Sequence, residues 1–389
     1  MSIKQIDKQY VANTYNRFPV EIVSGKGSIC YDENGKEYID LTSGIGVNSF
    51  GFADEKWVEA TTLQLQTLQH TSNLFYTEPC AKLAKLLCEK TGFKKVFFSN
   101  SGAEANEGAI KYARKYSEDK YGKGRHTIVT LNKSFHGRTL TTLQATGQDV
   151  FHKNFTPLTD GFIHVDAESE LDLQNLYCRD DICGFIIELV QGEGGVNALS
   201  KNYVSQVEKY CKEKDVLFIV DEVQTGNGRT GELYAYINYG IKPDVITTAK
   251  GLGNGLPIGA VMVGDKAEYV LGFGDHATTF GANPVCCAGA LSVISRLDEA
   301  FLQQVKEKEK LIRDMLCNAK GVLGVSGLGL MVGITTVRPA KDILNECIQR
   351  GVLCLTAKEK IRLLPPLSIP TETLIKAIEI LKEVCGKEI

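Results

Sequence analysis

Two hydrophobic periods alternate along this chain, and the switches between them lay out its elements. Short apolar runs rich in β-branched residues, of strand length, recur between longer stretches with helical spacing. Val216-Leu217-Phe218-Ile219-Val220 stops at Asp221-Glu222, and Asp244-Val245-Ile246-Thr247-Thr248 stops at Ala249-Lys250 and a glycine-rich turn. Further strands are predicted over 95–98, 126–131, 184–190 and 256–264, the last returning antiparallel. Helical spacing covers 55–70, with Trp57, Val58, Leu63, Leu65 and Leu68 as its buried face, then 79–90 and 201–214. A long helical stretch from Pro284 to Asn318 breaks before Phe301. This β–loop–α order predicts an α/β fold with a mostly parallel, doubly wound sheet and right-handed crossovers.

The two ends of the chain differ from its middle. Residues 1–50 start with a polar, helix-like piece and continue into a hairpin, 27–32 and 36–40, around Glu33-Asn34-Gly35. From residue 319 the pattern becomes glycine-rich strands over 322–334, a helix over 340–350 and a strand pair near 352–355 and 360–364. A final helix, N-capped by Thr371, puts Leu374, Ile378 and Leu381 on one face and ends at Gly386. The division expected is an N-terminal segment (1–50) packing with the small domain, a large domain (51–290) and a small α+β domain (291–389).

Composition narrows the class. With 389 residues, 43% hydrophobic and 23% charged, the chain is globular and long enough for two domains. A net charge of −3 gives no electrostatic reason for a nucleic-acid or anionic-membrane partner. The start MSIKQIDKQY lacks a signal-peptide core, and no apolar run reaches membrane-spanning length. The 12 cysteines are scattered without a CxxC, and the 6 histidines lack ligand spacing. Free thiols in a reducing cytoplasm, with no metal, are the expectation.

The chemistry gathers at strand ends. Asp221 and Lys250 each close a parallel strand, on the edge where open α/β sheets bind ligands. A lysine forming a Schiff base with an aldehyde cofactor needs burial to shed its proton, and a carboxylate facing a pyridine nitrogen keeps that nitrogen protonated. An ordinary solvated acid and lysine at strand ends have the same local sequence. Ser99-Asn100-Ser101-Gly102-Ala103-Glu104-Ala105-Asn106 opens a helix directly after a strand, the arrangement that binds phosphate, although serine and asparagine also cap helices routinely. No GxGxxG marks a dinucleotide site there. Ser134-Phe135-His136-Gly137-Arg138-Thr139 offers a ring that can stack on a flat cofactor and an arginine that can grip a carboxylate; a core phenylalanine and a surface arginine fit equally. Glu188 and Glu193 fall just past a strand end on the Asp221 edge, and Arg362 precedes a double proline.

Read in order, SNSGAEANE, SFHGRT, QGEGG, DEVQTGNGRTG, TTAKGLGNGLPIGA, TTFGANPV and RLLPPL carry a resemblance over nearly the whole chain. The chain resembles the class III aminotransferases of the fold-type I pyridoxal-phosphate family. The resemblance implies a mostly parallel sheet of the seven-stranded type in a large domain, with a smaller α+β domain built from both termini. It makes Lys250 the cofactor-bonding lysine and the acid/base of the proton shift, and Asp221 the partner of the pyridine nitrogen. Gln224 falls beside the cofactor's 3′-oxygen, Phe135 stacks on its ring, and His136 and Val223 join the cofactor contacts. Ser101, Gly102 and Ala103 hold the phosphate, while Thr279 reaches the phosphate held by the neighbouring subunit, which implies a homodimer with shared sites. Arg138 binds the α-carboxylate of the amino donor and Arg362 that of glutamate or 2-oxoglutarate. Glu193 is the switch that neutralises Arg362 when the ω-amino substrate enters; Ser43, Gly44, Ile45 and Asn73 line the pocket.

The implied activity is ping-pong transamination of N2-acetyl-L-ornithine with 2-oxoglutarate, giving N-acetyl-L-glutamate 5-semialdehyde and L-glutamate in arginine biosynthesis. Resemblance over 13–19, 43–48 and 70–73 favours this donor. Ornithine, succinylornithine and 4-aminobutyrate enzymes share the same cofactor residues and are the alternatives. The chain departs from the family at Leu189, commonly proline, and Ala282, commonly glycine, and at Phe52-Ala53-Asp54-Glu55; none of these is a proposed catalytic position.

Overall fold

In the computed structural model, which describes residues 1–387, the apolar runs assemble into one large sheet between helices. Three short N-terminal strands come first: β1 (Ile22–Lys26), β2 (Ile29–Asp32) and β3 (Glu37–Asp40), paired antiparallel. The middle of the chain supplies β4 (Lys95–Ser99), β5 (Thr127–Leu131), β6 (Phe162–Val165) and β7 (Ile182–Ile187). A small hairpin, β8 (Val190–Gln191) and β9 (Asn197–Ala198), precedes β10 (Leu217–Asp221), β11 (Val245–Thr248) and β12 (Gly259–Val263). The large sheet has 7 strands in the order β4-β12-β11-β10-β7-β5-β6. Only β12 runs against its neighbours; β11, β10, β7, β5 and β6 pair in parallel.

Both faces of this sheet are covered, which is why its strands read as unbroken apolar runs. Along β10 the side chains alternate. Leu217 and Ile219 face Ala105, Ala109 and Ala113 of the helix Gly102–Tyr121. Phe218 and Val220 join Tyr203, Val207 and Tyr210 of the helix Lys201–Glu213 in the other layer.

The C-terminal part forms β13 (Val322–Leu328), β14 (Met331–Thr336), β15 (Val352–Leu353), β16 (Leu355–Ala357) and β17 (Lys360–Leu363). Four of these make an antiparallel sheet, β13-β14-β17-β16. β15 instead pairs in parallel with β3, so the beginning and the end of the chain share a sheet.

Four local expectations need correction. The strand over 184–190 ends at Ile187, because the Glu188 carboxylate turns to accept the backbone N–H groups of Phe135 and Gly192. The strand over 352–355 splits at Cys354: Val352 and Leu353 register with Ile39 and Asp40, whereas Leu355 registers with Arg362. Pro370, not Thr371, caps the last helix; its ring holds φ at −60, and its carbonyl accepts the Leu374 N–H at 2.9 Å. The helix Glu55–Thr67 buries only Thr61. Trp57 is half-buried, its Nε1 donating to the Gly253 carbonyl, while Val58, Leu63, Leu65 and Leu68 stay exposed. These apolar side chains lie outside this chain's own core. Leu74, Phe75, Tyr76 and Phe280 are exposed as well, and Asn73 ties the two loops together by donating to the carbonyls of Thr278 and Gly281.

Candidate active site

Five strands deliver side chains to one edge of the large sheet. Around their ends lies a cavity of ≈ 480 Å³ lined by, among others, Ser101, Gly102, Phe135, Asp221, Gln224 and Lys250.

Lys250 follows the end of β11 and takes a left-handed backbone with φ 44, a conformation that costs a non-glycine residue about 1–2 kcal/mol. The surrounding bonds hold it there. Asn227 Nδ2 donates to Thr248 Oγ1 at 2.9 Å and to the Ala249 carbonyl at 3.1 Å, fixing the residues just before the lysine. Burial pushes the Lys250 amine below its ordinary value; Glu193 opposes that shift and Arg362 reinforces it. A lysine so placed gives up its proton more readily than a solvated one, as a nucleophile and base must.

Asp221, the last residue of β10, is held from three sides. Its Oδ2 accepts from Asn106 Nδ2 at 2.8 Å and lies 2.7 Å from His136 Nδ1; its Oδ1 accepts the Val223 N–H at 3.0 Å. Asn106 is fixed in turn, its Oδ1 accepting from Thr247 Oγ1 at 2.7 Å and its Nδ2 also donating to the His136 carbonyl. Burial by itself would lower the His136 imidazole, but the hydrogen bond and charge of Asp221 overcome it and the group is raised. Burial pushes Glu188, on the same edge, up to about 7 despite the nearby imidazole.

At the far end of the cavity Ser101 caps the 20-residue helix Gly102–Tyr121, its Oγ accepting the Glu104 N–H at 3.2 Å. The first N–H groups of that helix, on Gly102 and Ala103, border the cavity, where an anion meets both donors and the positive helix end. A Cβ on Gly102 would come within 2.6 Å of Val223 Cγ1, so glycine is what lets the helix start abut the Asp221 strand end. Arg138 borders the same cavity with its guanidinium 4.3 Å from the Phe151 ring centroid and 5.5 Å from that of Phe135. Arg362, on β17 and buried, donates from Nη1 to Glu193 Oε1 at 2.6 Å.

Not every expected pocket residue reaches this cavity. Ser43 is buried and donates to the Leu364 carbonyl at 2.6 Å; Gly44 and Ile45 form a left-handed turn with φ 64 and 65. Asn73 sits on the carbonyls of Thr278 and Gly281, and Thr279 is exposed on the apolar loop face. Conversely, the sequence reading assigned no role to Asn106 or Thr247, and left Glu188 without a function. Asn106 lies one helical turn past Gly102, on the helix face turned to the sheet, but only the pairing of β10 with β11 reveals that Thr247 stands beside Asp221.

The site accommodates pyridoxal phosphate on its own chemistry. Gln224 Oε1 is buried without a partner and belongs to a residue lining the cavity, the helix start offers N–H donors to a phosphate, and a carboxylate and a lysine border the space between. Fold and site together define a pyridoxal-phosphate transferase built on an α/β sheet. The family described as Aminotransferase class-III matches residues 10–385, and the chain belongs to that family. Its members work with pyridoxal 5′-phosphate. The chain is similar to the acetylornithine aminotransferase of Haemophilus ducreyi, 51% identical over 387 residues, covering 99% of this chain and 98% of that protein. It is 45% identical over 379 residues to the enzyme of the same name from Aquifex aeolicus, covering 96% and 99%. Among solved structures, the ornithine aminotransferase of Toxoplasma gondii superposes with a TM-score of 0.94 at 30% identity, covering 98% of this chain and 94% of that one. The N-acetylornithine aminotransferase of Stenotrophomonas maltophilia superposes at 0.84 with 31% identity, covering 98% and 97%.

Proposed function

We propose that this aminotransferase moves the δ-amino group of N2-acetyl-L-ornithine to 2-oxoglutarate, as a step of arginine biosynthesis. One observation carries the reading: two arginines flank the Lys250 site in different states. Arg138 is exposed over aromatic rings, while Arg362 is buried and latched by Glu193. A pocket that serves two substrates in turn needs one carboxylate anchor always open and a second that can be closed.

Bound pyridoxal phosphate supplies an aldehyde for the incoming amino group and a ring that draws electrons from the reacting carbon. The chain's residues do the rest. Lys250 Nζ takes the proton released at the amino-bearing carbon and returns it, a role suited to a buried amine of lowered pKa. Asp221, oriented by His136 and Asn106, would pair with the pyridine nitrogen and keep it protonated, and Phe135 would pack on the ring. Ser101, Gly102 and Ala103 would hold the phosphate, and Val223 and Gln224 would contact the ring. Arg138 grips the donor's α-carboxylate with Glu193 closed on Arg362; in the second half-reaction Glu193 withdraws and Arg362 takes the carboxylate of 2-oxoglutarate.

A homodimer accounts for the residues that stay outside the cavity. The exposed apolar side chains of Leu63, Leu65, Leu74, Phe75 and Phe280 belong to an interface in this reading, and it would carry Thr279 and Asn73 toward the neighbouring site. No helix among the described residues is long and apolar enough to cross a membrane. The 12 cysteines are free thiols, which fits an enzyme of the reducing cytoplasm.

Ornithine is the second reading, favoured by the close superposition on an ornithine aminotransferase. The test is a half-reaction titration of the cofactor-loaded protein, following the visible spectrum with each donor separately. Fast conversion by acetylornithine alone is expected. Equal conversion by ornithine would reduce the assignment to a broad ω-aminotransferase. Lys250→Ala is expected to bind cofactor but not turn over, and steady-state transamination by that variant would remove the lysine from its role.

A further inference from the structure

The closure of Glu193 on Arg362 depends on a loop, and that loop is fastened at a second point. Glu193 lies in the turn Gly192–Val196 between β8 and β9, and Arg362 lies on β17. Lys360 sits two residues before Arg362, so both side chains leave the same face of the strand. Lys360 Nζ donates to Asn197 Oδ1 at 2.9 Å and to Ser326 Oγ at 2.8 Å. Asn197 Nδ2 donates to the carbonyl of Gly194, the residue after Glu193, at 3.1 Å. β17 therefore grips the loop twice, once through Arg362 at Glu193 and once through Lys360 at Asn197.

The surroundings are shaped for this grip. Gly333, opposite Arg362 on β14, leaves room for it: a Cβ there would come within 2.8 Å of both Ser326 Oγ and Val196 Cβ and 3.3 Å of Lys360 Cδ. Val196 keeps a left-handed φ of 55, so the loop holds a backbone that a free turn of the same sequence would leave. The two grips also differ in kind. The Arg362–Glu193 contact pairs opposite charges, and a substrate carboxylate competes for it. The Lys360 contact uses neutral oxygens, which a carboxylate substrate on Arg362 does not displace.

We infer that Lys360 and Asn197 are positioning residues that anchor the Glu193 loop to β17, so that the Glu193–Arg362 pair opens by motion of the glutamate side chain while the loop stays in place. This rests on the two-substrate reading of Glu193 and Arg362. The anchored loop holds Glu193 within reach of Arg362 and so favours the closed pair that the amino donor uses. Cutting the anchor loosens the closed pair and leaves the open one accessible.

The experiment compares Lys360→Met, Asn197→Ala and Glu193→Ala holoenzymes in the two half-reactions by single-turnover spectroscopy. Lys360→Met is expected to raise the KM for acetylornithine about threefold to tenfold with kcat little changed, and to leave the 2-oxoglutarate half-reaction unaltered; a tenfold change corresponds to about 1.4 kcal/mol. Amide exchange over 190–198 is expected to quicken, a readout independent of turnover. Asn197→Ala cuts the same link from the loop side and serves if Lys360→Met fails to fold. In a Glu193→Ala background, Lys360→Met is expected to add nothing. Equal losses in both half-reactions, unchanged exchange over the loop, or an additive double variant would overturn the anchor. If Glu193→Ala alone leaves the donor and acceptor half-reactions in their original ratio, the failure lies instead with the two-substrate reading.

Discussion

His136 Nδ1 and Asp221 Oδ2 stand 2.7 Å apart with both side chains buried, and the hydrogen bond and charge of Asp221 raise the imidazole against the effect of its burial. A raised histidine stabilises the fold fully below its unfolded value near 6.5, and that stabilisation is lost as pH rises through the higher folded value. His136→Phe, which keeps a ring but donates nothing to Asp221, is expected to cost about 1–3 kcal/mol. The gap from the unsubstituted protein should be wider at pH 6 than at pH 9, as read from urea midpoints of the two proteins. A gap independent of pH would mean that folding leaves the imidazole's proton affinity unchanged, and a gap narrower at pH 6 that the buried ring is held neutral.

Glu188 titrates in the same direction from a different cause. Burial raises it to about 7, so the folded protein favours its protonated form. That contribution is complete below the unfolded value of about 4.3 and disappears as pH climbs through about 7. Glu188→Gln cannot ionise and is expected to flatten the fall in stability between about pH 4.3 and 7. An unchanged slope would assign the fall to other groups.

Arg138 borders the cavity on aromatic rings. Arg138→Ala is expected to reduce kcat/KM for acetylornithine by about 10- to 100-fold, the scale of a lost charge-assisted hydrogen bond, and to affect 2-oxoglutarate far less. Equal losses with the two substrates would contradict separate roles for Arg138 and Arg362.

Ala282 has φ 61, which accounts for a physical preference for glycine at that position. Ala282→Gly relieves the left-handed strain but loosens the unfolded chain. A net gain of up to about 1 kcal/mol is expected in thermal or urea unfolding. A loss of stability would show that the methyl group's packing against the core outweighs its strain.

Leu74 is 88% exposed on the protomer, next to Phe75 and Tyr76. Leu74→Asp is expected to leave the protomer's own packing nearly untouched and to weaken assembly, seen as a shift toward monomer in sedimentation at low micromolar protein. A single species of unchanged size would place the interface elsewhere.

The sequence determined what local pattern and local chemistry can fix. Strand ends at Asp221 and Lys250 were legible because apolar runs stop sharply there, and the helix starting at Gly102 because small and capping residues follow a strand. The ordered motifs identified the family before any geometry was available. What remained hidden depends on distances between segments far apart in the chain. Asn106 and Thr247 meet at Asp221 only because β10 and β11 pair in parallel under one helix. Lys360 reaches Asn197 across 163 residues of chain, and no periodicity in either segment points to the other. Leu63 and Leu65 show the same limit in reverse: helical spacing revealed an apolar face, but whether these side chains meet this chain's core is settled by packing, and here they do not.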